Sequence, residues 1–341
     1  MKIKHSKDMD AYFRRAMKNL LNECKNEFLG MAVSPANETD IRRKMRDAGF
    51  TEFAGPQNTW ESLFISADVW ENSLYHRTVD LSRISSGHFT YEKEIINGGE
   101  LFNCDSLIKD PEHALNDSMK LRALDRDCTA VYLLQDDEDW MLDAPSEAAT
   151  NDICAAAAHG NVLTFGLGIG YFLFMCAQNK AVSSITVIEQ SQDVIDMFTK
   201  YIQPQMQLNV PVTIKQGDAY EHWNKDTLSG YDYVYTDIWQ SSLDGLAAMQ
   251  ELLELYLPPL AQADFWIEDS CEETLWTLLF LHMRELYTGN ADPVAEDYEY
   301  LMEKVRSYCA GLDRTITAPR ELGAFIYDRS VLRSILANHI D

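Results

Sequence analysis

The sequence has no apolar run approaching the roughly 18 residues that span a bilayer; stretches such as 172–177 and 278–281 stop far short, so no transmembrane helix is expected. The first residues, Met1-Lys-Ile-Lys-His-Ser-Lys-Asp, lack the apolar stretch of a secretory signal, and a cytoplasmic location is the expectation. Paired cysteines are missing as well. The seven present (24, 104, 128, 154, 176, 271 and 309) are an odd number with no CxxC spacing, which excludes a disulfide framework and a zinc module, and no metal is expected. Cations are scarce: 29 Lys and Arg stand against 54 Asp and Glu, for a net charge of −25. Residues 1–50 hold 11 basic and 7 acidic residues, so the remaining 18 basic and 47 acidic residues leave the body at −29. Such a body repels a phosphate backbone and favours neutral or cationic small molecules; neither nucleic acid nor membrane is an expected partner. A homodimer is compatible with the sequence.

With 46% hydrophobic residues the chain can bury a core, which excludes generic disorder. Apolar residues in 7–28 recur near a period of 3.6, predicting an amphipathic helix, and a second helix is predicted over 38–48, ended by Gly49. From 60 to 142 the pattern turns to strands, with β-branched and aromatic enrichment at 62–66, 73–81 and 129–134. Residues 1–143 therefore read as an α+β region, helical over 1–50 and strand-containing over 60–142. Asp136-Asp-Glu-Asp reads as a solvated acidic turn.

From 144 onward, apolar strands (161–165, 184–188, 212–215, 231–236, 264–267) alternate with helices (171–179, 192–202, 243–256, 272–286). That rhythm predicts an α/β domain over 144–341 built on a mostly parallel, doubly wound sheet covered on both faces.

The strand at 161–165 runs into Gly166-Leu-Gly168-Ile-Gly170 and then an apolar helix. Alternating glycines permit positive φ and close approach of a ligand to the backbone, and the following helix offers free N–H groups. A dinucleotide fingerprint, GxGxxG, needs glycine where Tyr171 stands. Three further acids fall at strand ends: Glu189, 19 residues beyond Gly170; Asp218, followed by Ala219; and Asp237.

Taken together, these elements resemble the class I S-adenosylmethionine-dependent methyltransferases over roughly residues 145–290. The resemblance implies a seven-stranded Rossmann-like sheet that ends in an antiparallel pair, here placed at 315–317 and 323–327, with a short helix from Ser330. It implies S-adenosylmethionine as cofactor, held by Gly166, Gly168 and Gly170, with Glu189 on the ribose hydroxyls and Asp218-Ala219 at the adenine. Asp218 with Glu221 also has the spacing of a helix capping box. Asp237 would face the reacting end as base, with Tyr171 and Trp239 as pocket walls. The acid common two places before the first glycine is Thr164 here, so Glu147 is the candidate partner for the methionine ammonium. Glu268-Asp269 would add to an acidic pocket or start a helix.

The N-terminal β-containing region is also similar to that of spermidine synthases, but their D-S-x-D signature reads Asp237-Ile-Trp-Gln240 here. Methyl transfer to a small molecule or amine is thus the leading expectation, aminopropyl transfer the runner-up, and a non-catalytic nucleoside-binding protein the third. No N-P-P-Y or D-P-P-Y sequence marks a base methylase.

Overall fold

The computed structural model describes residues 1–20 and 24–340. A short strand β1 (Lys2–Ile3) precedes α1 (Lys7–Asn19), where the Ser6 side chain accepts from the Met9 amide. This helix is shorter than the period over 7–28 predicts, and residues 21–23 lie outside the described residues. Next come α2 (Glu38–Asp47), β2 (Phe64–Ile65), α3 (Ala67–Glu71) and α4 (Leu74–Thr78). Segment 73–81 is thus helical at its centre, where β-rich composition predicted a strand. The Ser73 hydroxyl caps the His76 amide, and burial of Tyr75 on the interior fixes the turn, so local capping and tertiary packing override propensity.

Strands β3 (Phe89–Ile96), β4 (Phe102–Ile108), β5 (Ser118–Leu124), β6 (Cys128–Gln135) and β7 (Glu138–Asp143) form two small sheets, ordered β2-β5-β4 and β3-β6-β7. The acidic turn is the β6–β7 hairpin tip, where Asp136 and Asp137 both take positive φ, as Asp tolerates in a tight turn.

The second half opens with α5 (Pro145–Ala157) and continues β8 (Gly160–Phe165), α6 (Tyr171–Gln178), β9 (Val182–Glu189), α7 (Gln192–Met197) and β10 (Val212–Gln216). There follow α8 (Ala219–His222), α9 (Lys225–Leu228), β11 (Tyr233–Thr236), α10 (Ser242–Leu255), β12 (Ala263–Phe265) and α11 (Glu268–Thr288). The chain closes with α12 (Glu299–Ala310), β13 (Thr315–Ile316), α13 (Pro319–Ile326) and α14 (Arg329–Leu336). The main sheet is parallel throughout, in the order β10-β9-β8-β11-β12. It grows outward from β8 in both directions, which opens a crevice beyond the carboxyl ends of β8 and β11.

The sheet has five strands among the described residues, not seven, and no antiparallel pair completes it. Thr315–Ile316 instead pairs in parallel with Lys2–Ile3. Segment 323–327, expected as a strand, belongs largely to α13. Pro319 starts that helix, Leu322, Phe325 and Ile326 bury at helical spacing, and a side chain at Gly323 would meet the Pro111 carbonyl at 1.8 Å.

One core runs through both halves of the chain. Phe13 of α1 stacks on Tyr287 of α11 at 4.8 Å, and the Tyr287 hydroxyl donates to Asp10 at 2.6 Å. A second core gathers Phe28, Met45, Phe50, Phe53, Trp60 and Leu121. At the sheet edge, Arg333 of α14 donates to both carboxylate oxygens of buried Glu268 (2.6 and 2.7 Å) and to the Ala263 carbonyl (2.8 Å).

Candidate functional site

The crevice at the carboxyl ends of β8, β9, β10 and β11 holds a cleft of about 360 Å³. Its floor is the turn between β8 and α6, where Gly166, Gly168 and Gly170 take φ of +93°, +49° and +72°. Two of these positions exclude a side chain outright. A Cβ on Gly166 would lie 2.0 Å from the Asp237 carbonyl, and one on Gly170 would lie 2.3 Å from the Phe198 ring. Left-handed backbone combined with a blocked Cβ direction leaves glycine as the residue that fits.

Hydrogen bonds from elsewhere in the chain hold the turn in shape. Glu189, at the end of β9, accepts from the Leu167 amide through Oε2 (2.9 Å) and from the Ser191 amide through Oε1 (2.8 Å). Each oxygen keeps a further acceptor position for a ligand hydroxyl. From the N-terminal half, the buried Tyr75 hydroxyl donates to the Ile169 carbonyl at 2.8 Å. Met141 of β7 lies over Gly168.

Gly166, Gly168, Glu189, Asp218, Ala219 and Asp237 all line this one cleft, while Gly170 shapes its floor from beneath. Asp218 caps α8 through the Tyr220 amide (2.9 Å); the amide held is the second of the helix and not the third, so the D-x-x-E spacing does not close a capping box. Asp237 follows β11. Its half-buried carboxyl has no hydrogen bond or ion pair among the described residues and is pushed up to about 7 by desolvation alone.

Tyr171 and Trp239 are walls of the cleft. The Tyr171 ring packs at 4.9 Å from that of Tyr75, and its hydroxyl donates to Asp152 at 2.9 Å. The buried Trp239 indole N–H has no acceptor among the described residues and points toward Gly245. Glu147, in the first turn of α5, stands apart: it lines an adjoining chamber of about 240 Å³ that shares Asp237 and Trp239 with the cleft. Thr164 is buried at the cleft's base.

Glu268 and Asp269 do not join the cleft. They form the first turn of α11, Glu268 paired with Arg333 and Asp269 with Lys109 at 2.7 Å. Strand-end position alone does not decide whether an acid faces ligand; here Arg333, Lys109 and Arg329, which reaches both carboxylates at 3.4 and 3.0 Å, claim the side chains.

Residues that motif reading does not find also line the cleft: Trp140 and Met141 from the β6–β7 hairpin, and Asn151 from α5. Asn151 accepts from the buried Tyr235 hydroxyl (3.0 Å) and donates to the Glu147 carbonyl (3.1 Å), tying β11 to α5. No spacing rule marks these positions, because each reaches the cleft through long-range packing. Among the described residues, the cleft lining holds three carboxylates, Glu189, Asp218 and Asp237, and no lysine, arginine or histidine. A bound cation is therefore favoured over an anion.

No family model matches the chain, and no curated protein does. Among solved structures, it overlaps the Mycobacterium tuberculosis shikimate dehydrogenase at 15% identity and TM-score 0.23, covering 57% of this chain and 66% of that one. An O-methyltransferase from Bacillus cereus in complex with SAH aligns at 18% identity and TM-score 0.25, over 34% and 53% of the two chains. The YcgJ protein from Bacillus subtilis aligns at 14% identity and TM-score 0.22, over 31% and 43%. Each overlap spans less than two thirds of the solved chain. At these scores the likenesses establish neither a ligand nor an activity for this protein.

Proposed function

We propose that this chain is an S-adenosylmethionine-dependent methyltransferase acting on a small molecule or an amine. The observation that carries the reading is the convergence, in one cleft, of a glycine turn held at positive φ, a strand-end glutamate bound to that turn, and an unpartnered carboxyl at the neighbouring strand end. The fit to the cofactor is good on three counts. Backbone at Gly166 and Gly168 lies open to close contact. Glu189 retains acceptor capacity for two ribose hydroxyls. A cleft lining that, among the described residues, carries carboxylates and no basic side chain suits a sulfonium cation.

Gly166, Gly168, Glu189, Asp218 and Ala219 would hold the nucleoside. When bound, S-adenosylmethionine supplies a methyl carbon on a sulfonium, whose C–S bond breaks with its electron pair kept by sulfur as the acceptor's lone pair takes the methyl. The chain's own contribution is position and a place for the acceptor's proton. Asp237 suits the second task because a carboxyl near 7 is both partly ionised and basic enough to take a proton at neutral pH.

Calorimetry with S-adenosylmethionine, S-adenosylhomocysteine and the decarboxylated donor tests the proposal. Binding of the first two, weakened at least tenfold by Glu189→Ala, is the expected result. Preference for the decarboxylated donor would turn the reading to aminopropyl transfer, and no binding of any of the three would remove it.

A further inference from the structure

The chamber beside the cleft has a composition of its own. Four aromatic residues line it, Tyr132 and Trp140 from the hairpin and Trp239 and Trp266 from the main sheet side. Among the described residues, its charged lining is Asp139, Glu147 and Asp237, with no basic side chain. Trp140 is held in place by packing on Phe89 at 5.0 Å, and Trp266 by an indole N–H donated to Thr150 at 2.9 Å. The rings are therefore fixed walls. Aromatic faces and carboxylates both attract cations, and together they suit a body that is apolar with a positive head.

The second observation is Asp237. It borders both spaces, is half-buried, and lacks any hydrogen-bonding or ionic partner among the described residues. A carboxyl with no protein partner, placed where two cavities meet, is open to a donor group from outside.

We infer that this chamber binds a small organic ammonium with an apolar or aromatic body, its head group toward Glu147 and Asp237 and its body between Trp140 and Trp266. In this assignment Glu147 serves the acceptor's charge and not the amino group of the nucleoside ligand. The inference rests on the nucleoside reading for its role as an acceptor site, but the binding itself is measurable without it.

The test is calorimetry on the full chain near pH 7.5, with and without saturating S-adenosylhomocysteine, titrating 2-phenylethylamine against its neutral and anionic counterparts, 2-phenylethanol and 3-phenylpropionate. The amine is expected to bind at least tenfold more tightly than either. Glu147→Gln is expected to weaken the amine at least tenfold, and Trp140→Leu to weaken the amine and the alcohol alike. Asp139 is exposed, so Asp139→Asn, expected to weaken the amine alone, keeps the test open should Glu147→Gln fail to fold on thermal melting. Equal affinity for amine and alcohol overturns the inference, as does an absence of amine binding. So does a Glu147→Gln variant that weakens S-adenosylhomocysteine while sparing the amine. Loss of nucleoside binding alone, with selective amine binding intact, would remove the donor reading and leave the chamber standing.

Discussion

Replacing Asp237 by asparagine should make the protein more stable and less active, and the gain should depend on pH in a defined way. Desolvation moves this carboxyl from 3.8 to about 7, so the folded state holds its proton more tightly than the unfolded chain does. Between those values the unfolded chain has already released the proton, and stability must fall as pH rises. The cost is absent below the unfolded value, grows through pH 4 to 7, and is complete above it. At about 1.4 kcal/mol per pH decade the full gap amounts to about 4 kcal/mol at pH 8, against about 0.5 kcal/mol at pH 4. Asparagine keeps the shape, carries no charge to desolvate, and escapes this dependence. Urea unfolding followed by tryptophan fluorescence at pH 4, 6 and 8 should show Asp237→Asn pulling ahead of the wild type as pH rises, by about 2 to 4 kcal/mol at pH 8. Methyl transfer, once an acceptor is in hand, should drop by roughly 10²- to 10⁴-fold, the range for loss of a general base. Unfolding free energies of the two proteins that run parallel from pH 4 to 8 would refute the account, because they would mean that Asp237 is solvated or paired when folded.

Gly170→Ala should cost about 2 to 4 kcal/mol, since φ is +72° and the new methyl would press on the Phe198 ring; Gly170→Ala with Phe198→Leu should recover the clash but not the backbone strain, as thermal unfolding of the three proteins will show. Tyr75→Phe leaves the Ile169 carbonyl without its buried donor and should cost about 1 to 3 kcal/mol together with weaker S-adenosylhomocysteine binding in calorimetry, because the lost bond holds the glycine turn. Arg333→Met should destabilise by about 3 to 5 kcal/mol in urea unfolding by removing both hydrogen bonds to the buried Glu268 carboxylate and leaving it only the longer contact with Arg329 at 3.4 Å, whereas Arg333→Met with Glu268→Leu should return most of that loss.

The glycine turn was legible in the sequence because its constraint is local: three alternating glycines between an apolar strand and an apolar helix admit few other conformations. The strand-end acids were legible for the same reason, since period-2 strands place their last residue at a known edge of the sheet. Reading failed where distant partners decided the outcome. Segment 73–81 carries strand-like residues yet forms a helix, because one serine cap and the burial of Tyr75 outweigh propensity. Segment 323–327 follows a proline helix start and fills a space beside Pro111, contacts invisible in linear order.

What the amino-acid order determined by itself was the alternation of strands and helices after residue 144, the glycine floor of the cleft, and an acidic character hostile to anions. The tertiary structure alone decided the number of strands, the removal of Glu268 and Asp269 from the cleft by Arg333, Arg329 and Lys109, and the placing of Glu147 in a neighbouring chamber. It also brought Trp140, Met141 and Tyr75 from the N-terminal half to the cleft and its glycine turn, Tyr75 across a separation of 94 residues. The division has one physical cause: backbone geometry and hydrophobic period act between near neighbours, whereas burial, ion pairing and cavity lining are set by which surfaces meet after the chain has closed.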